Sequence, residues 1–298
     1  MTEPDLQTLV AAELAEPVDP RVSAMAAALA ALHPAAARAV LFYGSCLRQS
    51  ELDGLMLDFY LVVSDYGEAY GPGWLARANR LLPPNVFPFA HKGLSAKYAV
   101  LSEADFAREC SSEARSVSVW ARFAQPSRLA WAADEAARAR AVEAVAEAAP
   151  TLFALTMPVL GERADVLEIW RQGFALTYGA ELRAERSNRS GSIVDADPER
   201  YERFGRAALA ALAGRSVDAV SSARMRRRWR AMQRKGKALS VARLAKASFT
   251  FAGGIDYLAW KINRHAGTAI EIKPWQRRWP LIAAFTLLPR LFRRGAIR

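Results

Sequence analysis

The apolar positions of this chain follow two rhythms. Up to about residue 135, short apolar runs bounded by turn residues alternate with Ala-rich helical stretches; beyond it almost every stretch reads as helix. Residues 20–32 are Ala-rich with few breakers and predict a helix. Residues 39–43 are apolar and partly aromatic and end at Gly44-Ser45, the pattern of a buried strand followed by a tight turn. A second apolar run, 59–63, starts directly after Asp58. Further strands are expected at 85–90, after the Pro83-Pro84 break, and at 96–101. That last run closes at Ser102, where Ser-Glu-Ala-Asp reads as a helix N-cap with acids in the first turn. Residues 134–149 have very high helix propensity with Pro150 as the expected stop, and 163–186 and 197–214 predict further helices around a polar loop at 187–192. The expected class is α+β: a mixed-sheet domain over 1–135, a mostly helical domain over 136–220, and a C-terminal region over 221–298.

Composition narrows the class. Of 298 residues 52% are hydrophobic and 24% charged, which excludes wholesale disorder and a collagen-like or coiled-coil rod. Two cysteines, Cys46 and Cys110, exclude a disulfide framework; with no Cys-x-x-Cys pair they read as reduced thiols in a reducing compartment. The start, MTEPDLQTLV, lacks a basic stretch leading into an apolar core, so no secretory signal is expected. No uncharged apolar run reaches the roughly 18 residues of a spanning helix. The expectation is an intracellular protein without a conventional membrane anchor.

Charge changes the picture more. Residues 221–298 hold 19 basic residues against two acidic ones, Asp256 and Glu271, whereas residues 1–220 hold 22 basic against 28 acidic. A mildly acidic body with a strongly basic tail implies an anionic partner, a membrane face or nucleic acid, unless the tail is simply a solvated face.

Chemistry concentrates in residues 43–63, YGSCLRQSELDGLMLDFYLVV. Gly44 lets the backbone approach a ligand closely. Ser45 offers a hydroxyl and an N–H, and a turn into a helix start presents further N–H donors to phosphate. Asp58, opening the next strand, would face that phosphate and hold Mg²⁺ between them, as in-line nucleotidyl transfer requires. The bland reading is a strand end, a turn and a capping acid. The three histidines, His33, His91 and His265, show no metal-ligand spacing.

The motif resembles the nucleotidyltransferase (polymerase-beta-like) superfamily, whose pattern is Gly-Ser followed by Asp-x-Asp. Here Met56 stands two before Asp58, and the nearest upstream acid is Asp53. Leu57-Asp58-Phe59 with Gly-Ser upstream is similar to the mitochondrial-type phosphatidate cytidylyltransferases, the translocator-assembly-and-maintenance family. Segments in the same order extend the resemblance over about 38–254: Ala96-Lys97-Tyr98, Ala121-Arg122-Phe123, Leu176-Thr177-Tyr178 through Arg183, and Lys246 through Gly253. The resemblance implies a nucleotidyltransferase core followed by the helical domain and tail. It implies transfer of CMP from CTP to phosphatidate, or another anionic lipid, with one or two Mg²⁺ ions. Gly44, Ser45 and Arg122 would bind nucleotide, Asp58 with Asp53 the metal, and Asp58, Lys97 and Glu181 would form the catalytic set. Arg183 and Arg189 would contact substrate phosphate. Read from the residues alone, Lys97 is equally a surface lysine lying along its strand, and Glu181 and Arg183 equally neighbours on a solvated helix face.

A lipid acceptor requires contact with a bilayer. The C-terminal stretch combines Trp275, Trp279 and Phe285 with Arg277, Arg278 and Arg293, aromatics for the interfacial zone and arginines for lipid phosphate. Its apolar stretch is bracketed by Pro280 and Pro289, so a segment lying in the interface is expected, with docking on the protein's own core as the alternative. This implies peripheral association with the inner face of the cytoplasmic membrane. Nucleic acid is the weaker partner, because the chain carries no recognised RNA- or DNA-binding signature. Two other functions stay open: a nucleotidyltransferase with another acceptor, and an inactive relative serving as a membrane or RNA adaptor.

Overall fold

The computed structural model describes residues 4–49, 51–161, 164–180, 193–214, 221–250 and 271–278. The class is α+β, built on a five-stranded mixed sheet. The strands are β1 (Ala37–Tyr43), β2 (Met56–Val63), β3 (Asn85–His91), β4 (Leu94–Ser102) and β5 (Ser127–Ala132), in the order β3-β4-β2-β1-β5. The β2–β4 pair is parallel and the others antiparallel. Parallel pairing demands a crossover; here it contains α3 (Tyr66–Tyr70), α4 (Trp74–Leu81) and β3.

Strand alternation sends side chains to opposite faces of the sheet. Leu57, Phe59, Leu61 and Val63 of β2 join Val40, Phe42, Tyr98 and Val100 in a cluster covered by α2 (Pro20–Ala31) and by Tyr66 and Ala76 of the crossover. Tyr60 and Val62 point the other way, with Leu41, Ala99 and Leu101. That face is covered by α1 (Leu6–Leu14), α5 (Glu103–Cys110), α6 (Trp120–Phe123) and α7 (Glu135–Ala146). The same cluster continues into α8 (Ala148–Leu160), α9 (Val166–Tyr178), α10 (Pro198–Ala213) and α11 (Ser222–Thr250), so one apolar core takes in residues on both sides of position 135.

Most helix starts are written locally. Asp19 caps α2 with Pro20 in its first turn, Ser102 accepts from the Asp105 N–H to cap α5, and Asp134 caps α7. Pro150 is not the stop expected of it. It stands in the first turn of α8, where a missing N–H costs no helix bond. By length and composition α7 and α8 together, Glu135–Leu160, would suffice to cross a membrane, yet 67% of their most apolar window is buried inside the protein. The helix expected at 163–186 is α9, described to Tyr178; the polar loop at 187–192 lies outside the described residues.

Two long-range ties organise the helical side. Arg200 of α10, 5% exposed, holds both carboxylate oxygens of Glu13 on α1, at 2.5 and 2.9 Å, and its guanidinium lies over the Phe204 ring. Helix α11, read from the sequence as part of a basic tail, is instead a docked 29-residue helix. Its buried seam includes Met225, Trp229 and Gly236; the Trp229 indole donates to the Leu155 carbonyl at 2.8 Å, and a Cβ at Gly236 would collide with the Ala180 carbonyl.

Candidate functional site

Register brings one residue from each strand into a transverse row: Pro88, Lys97, Asp58, Tyr43 and Ser127, from β3 through β5. Asp58 shares the parity of Tyr60 and Val62, and Lys97 that of Ala99 and Leu101, so both face the helical side. Their charges meet: Lys97 Nζ lies 2.9 Å from Asp58 Oδ1, with the two side chains 26% and 22% exposed. This is a charge contact without hydrogen-bond alignment, for Asp58 Oδ1 is buried and receives no hydrogen bond. Farther along the row, Ser127 Oγ is also buried without a partner.

β1 ends immediately beside this pair. Gly44, at φ +96° and ψ −167°, turns the chain into a short 3₁₀ helix, Ser45–Arg48. That conformation is essentially restricted to glycine, and a Cβ there would sit 3.4 Å from Asp58 Oδ2. The bend therefore abuts the carboxylate. Cys46 reports the same crowding: its thiol donates to the Met56 carbonyl at 3.6 Å, and burial first, then the Asp58 carboxylate, pushes its pKa up. A buried thiol held protonated is a packing group rather than a nucleophile.

The structure thus gathers Gly44, Ser45, Asp58 and Lys97. Asp53 is turned to another partner, pairing with Arg21 of α2 at 3.0 Å with its side chain 62% exposed. Among the described residues no group of three or more His, Cys, Asp and Glu is placed to hold a metal ion. One carboxylate is still compatible with Mg²⁺, which keeps several waters and is commonly held by one or two carboxylates plus substrate phosphates. Asp58 turns Oδ2 to the glycine bend and keeps Oδ1 free of hydrogen bonds, with the Lys97 charge against it; a carboxylate so placed is the kind of donor such an ion takes, so the residues present fit it.

Over the row lies α6. Phe123 packs against Tyr43 and Tyr60, with ring centroids 5.8 and 5.3 Å apart. Its neighbour Arg122 is half-buried and donates to the Ser118 carbonyl. The Ser118 hydroxyl in turn accepts from Arg243 of α11 at 3.0 Å, and Arg243 also donates to the Pro83 carbonyl at 2.8 Å. Lys246, one turn on, donates to the carbonyls of Leu82 and Pro84. Burial, with Arg243 beside it, pushes Lys246 down to about 7.

No family model and no curated protein matches this chain.

The remaining expected residues fall elsewhere. Glu181, Arg183 and Arg189 lie outside the described residues, as do Trp279, Phe285 and Arg293. Trp275 is 43% exposed on a short helix, α12 (Pro274–Arg278), which also carries Arg277 and Arg278; the side chains of those two arginines are outside the description. Sequence reasoning gave no role to Arg243 or Lys246. Their signal was a basic pair three residues apart, inside the one stretch of α11 that is otherwise nearly apolar.

Proposed function

We propose that the chain is a Mg²⁺-dependent cytidylyltransferase with a nucleotidyltransferase core, converting CTP and phosphatidate to CDP-diacylglycerol and pyrophosphate at a membrane surface. This reading keeps the resemblance to the mitochondrial-type phosphatidate cytidylyltransferases. It places the protein peripherally on the inner face of the cytoplasmic membrane, with residues 1–135 as catalytic domain, 136–220 as helical domain and 221–298 as membrane-contacting region. The observation that carries it is the contact of the Gly44 bend with Asp58, next to Lys97 on the adjoining strand.

A phosphomonoester attacking the α-phosphorus of CTP has a second pKa near 6, so it is largely ionised at neutral pH and needs no strong general base. Catalysis then consists of positioning and charge neutralisation. The Gly44-Ser45 bend would bring backbone and hydroxyl against the triphosphate. Asp58, with Asp53 if it exchanges Arg21, would hold Mg²⁺, which when bound supplies charge neutralisation at the phosphoryl oxygens. Lys97, now neutralising Asp58, would also be within reach to neutralise charge on the triphosphate. Arg122 would add a bidentate phosphate contact after giving up the Ser118 carbonyl.

The test uses full-length protein, each radiolabelled NTP in turn, Mg²⁺ and phosphatidate vesicles, followed by lipid extraction. Label from CTP should enter the lipid, and Asp58→Asn should abolish transfer while leaving the circular dichroism spectrum unchanged. Unaltered turnover in that variant removes Asp58 from the mechanism; label in a soluble product points to another acceptor. One observation favours a second reading, an inactive relative acting as adaptor: Met56 occupies the place of an acid, and Lys97 already neutralises the remaining one. CTP binding with no product from any nucleotide would support it.

A further inference from the structure

Where α11 crosses the end of α9, Arg230, Gln233, Arg234 and Lys237 line a concavity of about 380 Å³ together with Gly179. A volume of that size falls within the range of small-ligand sites, roughly 300–1,000 Å³. The three cations stand at i, i+4 and i+7, on one face of one helix, all exposed. Among the described residues no carboxylate lines the concavity, and the sequence of α11 contains no acidic residue from Ser222 to Thr250. Elsewhere several arginines are paired with acids, as in Arg38–Asp134, Arg171–Asp195 and Arg206–Glu202. Here like charges share adjacent turns, an arrangement that destabilises a helix.

The end of α9 does not account for them. A helix C-terminus carries roughly half a negative charge, against three full positive ones. Gln233 already serves that end, donating to the Leu176 carbonyl at 3.2 Å. The crossing is also shaped for close approach. A Cβ at Gly179 would come 2.9 Å from Gln233 Nε2, and Gly236 lies directly beneath the Ala180 carbonyl.

We infer that the α9–α11 crossing binds a phosphate-bearing anion, with Arg230 and Arg234 as guanidinium donors and Lys237 as a point charge. The shared chemistry is a phosphomonoester or pyrophosphate group, free in solution or on a lipid headgroup. The inference goes beyond the proposed reaction and does not rest on Asp58: it stands if the Asp58→Asn variant keeps full turnover.

Two variants of the full chain each remove three charges from α11. Arg230→Gln/Arg234→Gln/Lys237→Gln empties the concavity, and Arg224→Gln/Arg227→Gln/Lys235→Gln strips exposed cations that do not line it. Arg234→Gln alone serves if the first triple variant fails to fold by circular dichroism. Pyrophosphate is titrated calorimetrically, and flotation is measured with phosphatidylcholine vesicles with and without phosphatidate. Emptying the concavity should weaken binding by about tenfold or more, while the second triple variant keeps most of it. Loss in the calorimetric arm identifies a soluble ligand; loss confined to phosphatidate vesicles identifies a headgroup. Equal losses in both triple variants, or none in the first, overturn the proposal, the former by showing diffuse attraction along the helix.

Discussion

Two ion pairs in this protein have opposite designs. Glu13–Arg200 is closed: both carboxylate oxygens are engaged by a nearly buried guanidinium, a third nitrogen reaches the Ala124 carbonyl at 3.4 Å, and an aromatic ring lies beneath. Asp58–Lys97 is open: an ammonium contact on one carboxylate oxygen, that oxygen without a hydrogen bond, and a glycine bend close beside the other. The first fixes α1 to α10 and uses a rigid bidentate cation; the second uses a compact charge on a flexible stem, which can change partners. A carboxylate whose bonding is complete works as a joint. One whose bonding is incomplete, near the start of a central strand, is what the proposed function asks a ligand to complete.

Breaking the closed pair should have the largest effect on stability. Arg200→Ala leaves Glu13 uncompensated in a buried place and should cost about 3–5 kcal/mol in urea unfolding. Gly44→Ala should cost about 1–3 kcal/mol, because alanine is strained at this backbone conformation. The same variant should lower CTP turnover, since the strain falls on the bend beside Asp58. Opening the open pair should barely register: Asp58→Asn should change unfolding by no more than about 1 kcal/mol, while abolishing transfer. A loss as large as that of Arg200→Ala would make Asp58 a structural residue and erase the contrast.

A different kind of effect concerns pH. Lys246 titrates near 7 in the folded chain against 10.5 ordinarily. Between those values the unfolded chain binds the proton more readily, so this group's contribution to stability rises as pH climbs from about 7 and is least favourable below it. Lys246→Met should flatten that slope in urea melts compared at about pH 7 and 9.

The strands that carry the open pair were legible because each is an apolar run with clear punctuation: Gly44 after β1, Asp58 before the buried stretch of β2, Ser102 after β4. β5 was missed because Ser127 and Arg128 open a short edge strand whose residues are mostly half-buried, giving no contrast for a period to appear in. Pro150 misled because a helix stop and a first-turn proline look alike until the next helix is seen. In α11 the density of arginine masked a buried seam through Met225 and Trp229, and a helix read by charge alone passed for a tail. Asp53 was the upstream acid expected to join Asp58 at the metal; nothing local announced that Arg21, 32 residues earlier, would take it.

β2 is the middle strand of the sheet, laddered to β1 on one side and β4 on the other. A slip of one residue along those ladders would swing every side chain to the opposite face, presenting Leu57 or Phe59 beside Lys97 and burying the aspartate in oil. The aliphatic residues toward the far end of β2, Leu61 and Val63, therefore keep the carboxylate aimed although they lie on the other face of the sheet. Their part in the proposed site is to hold a compass bearing.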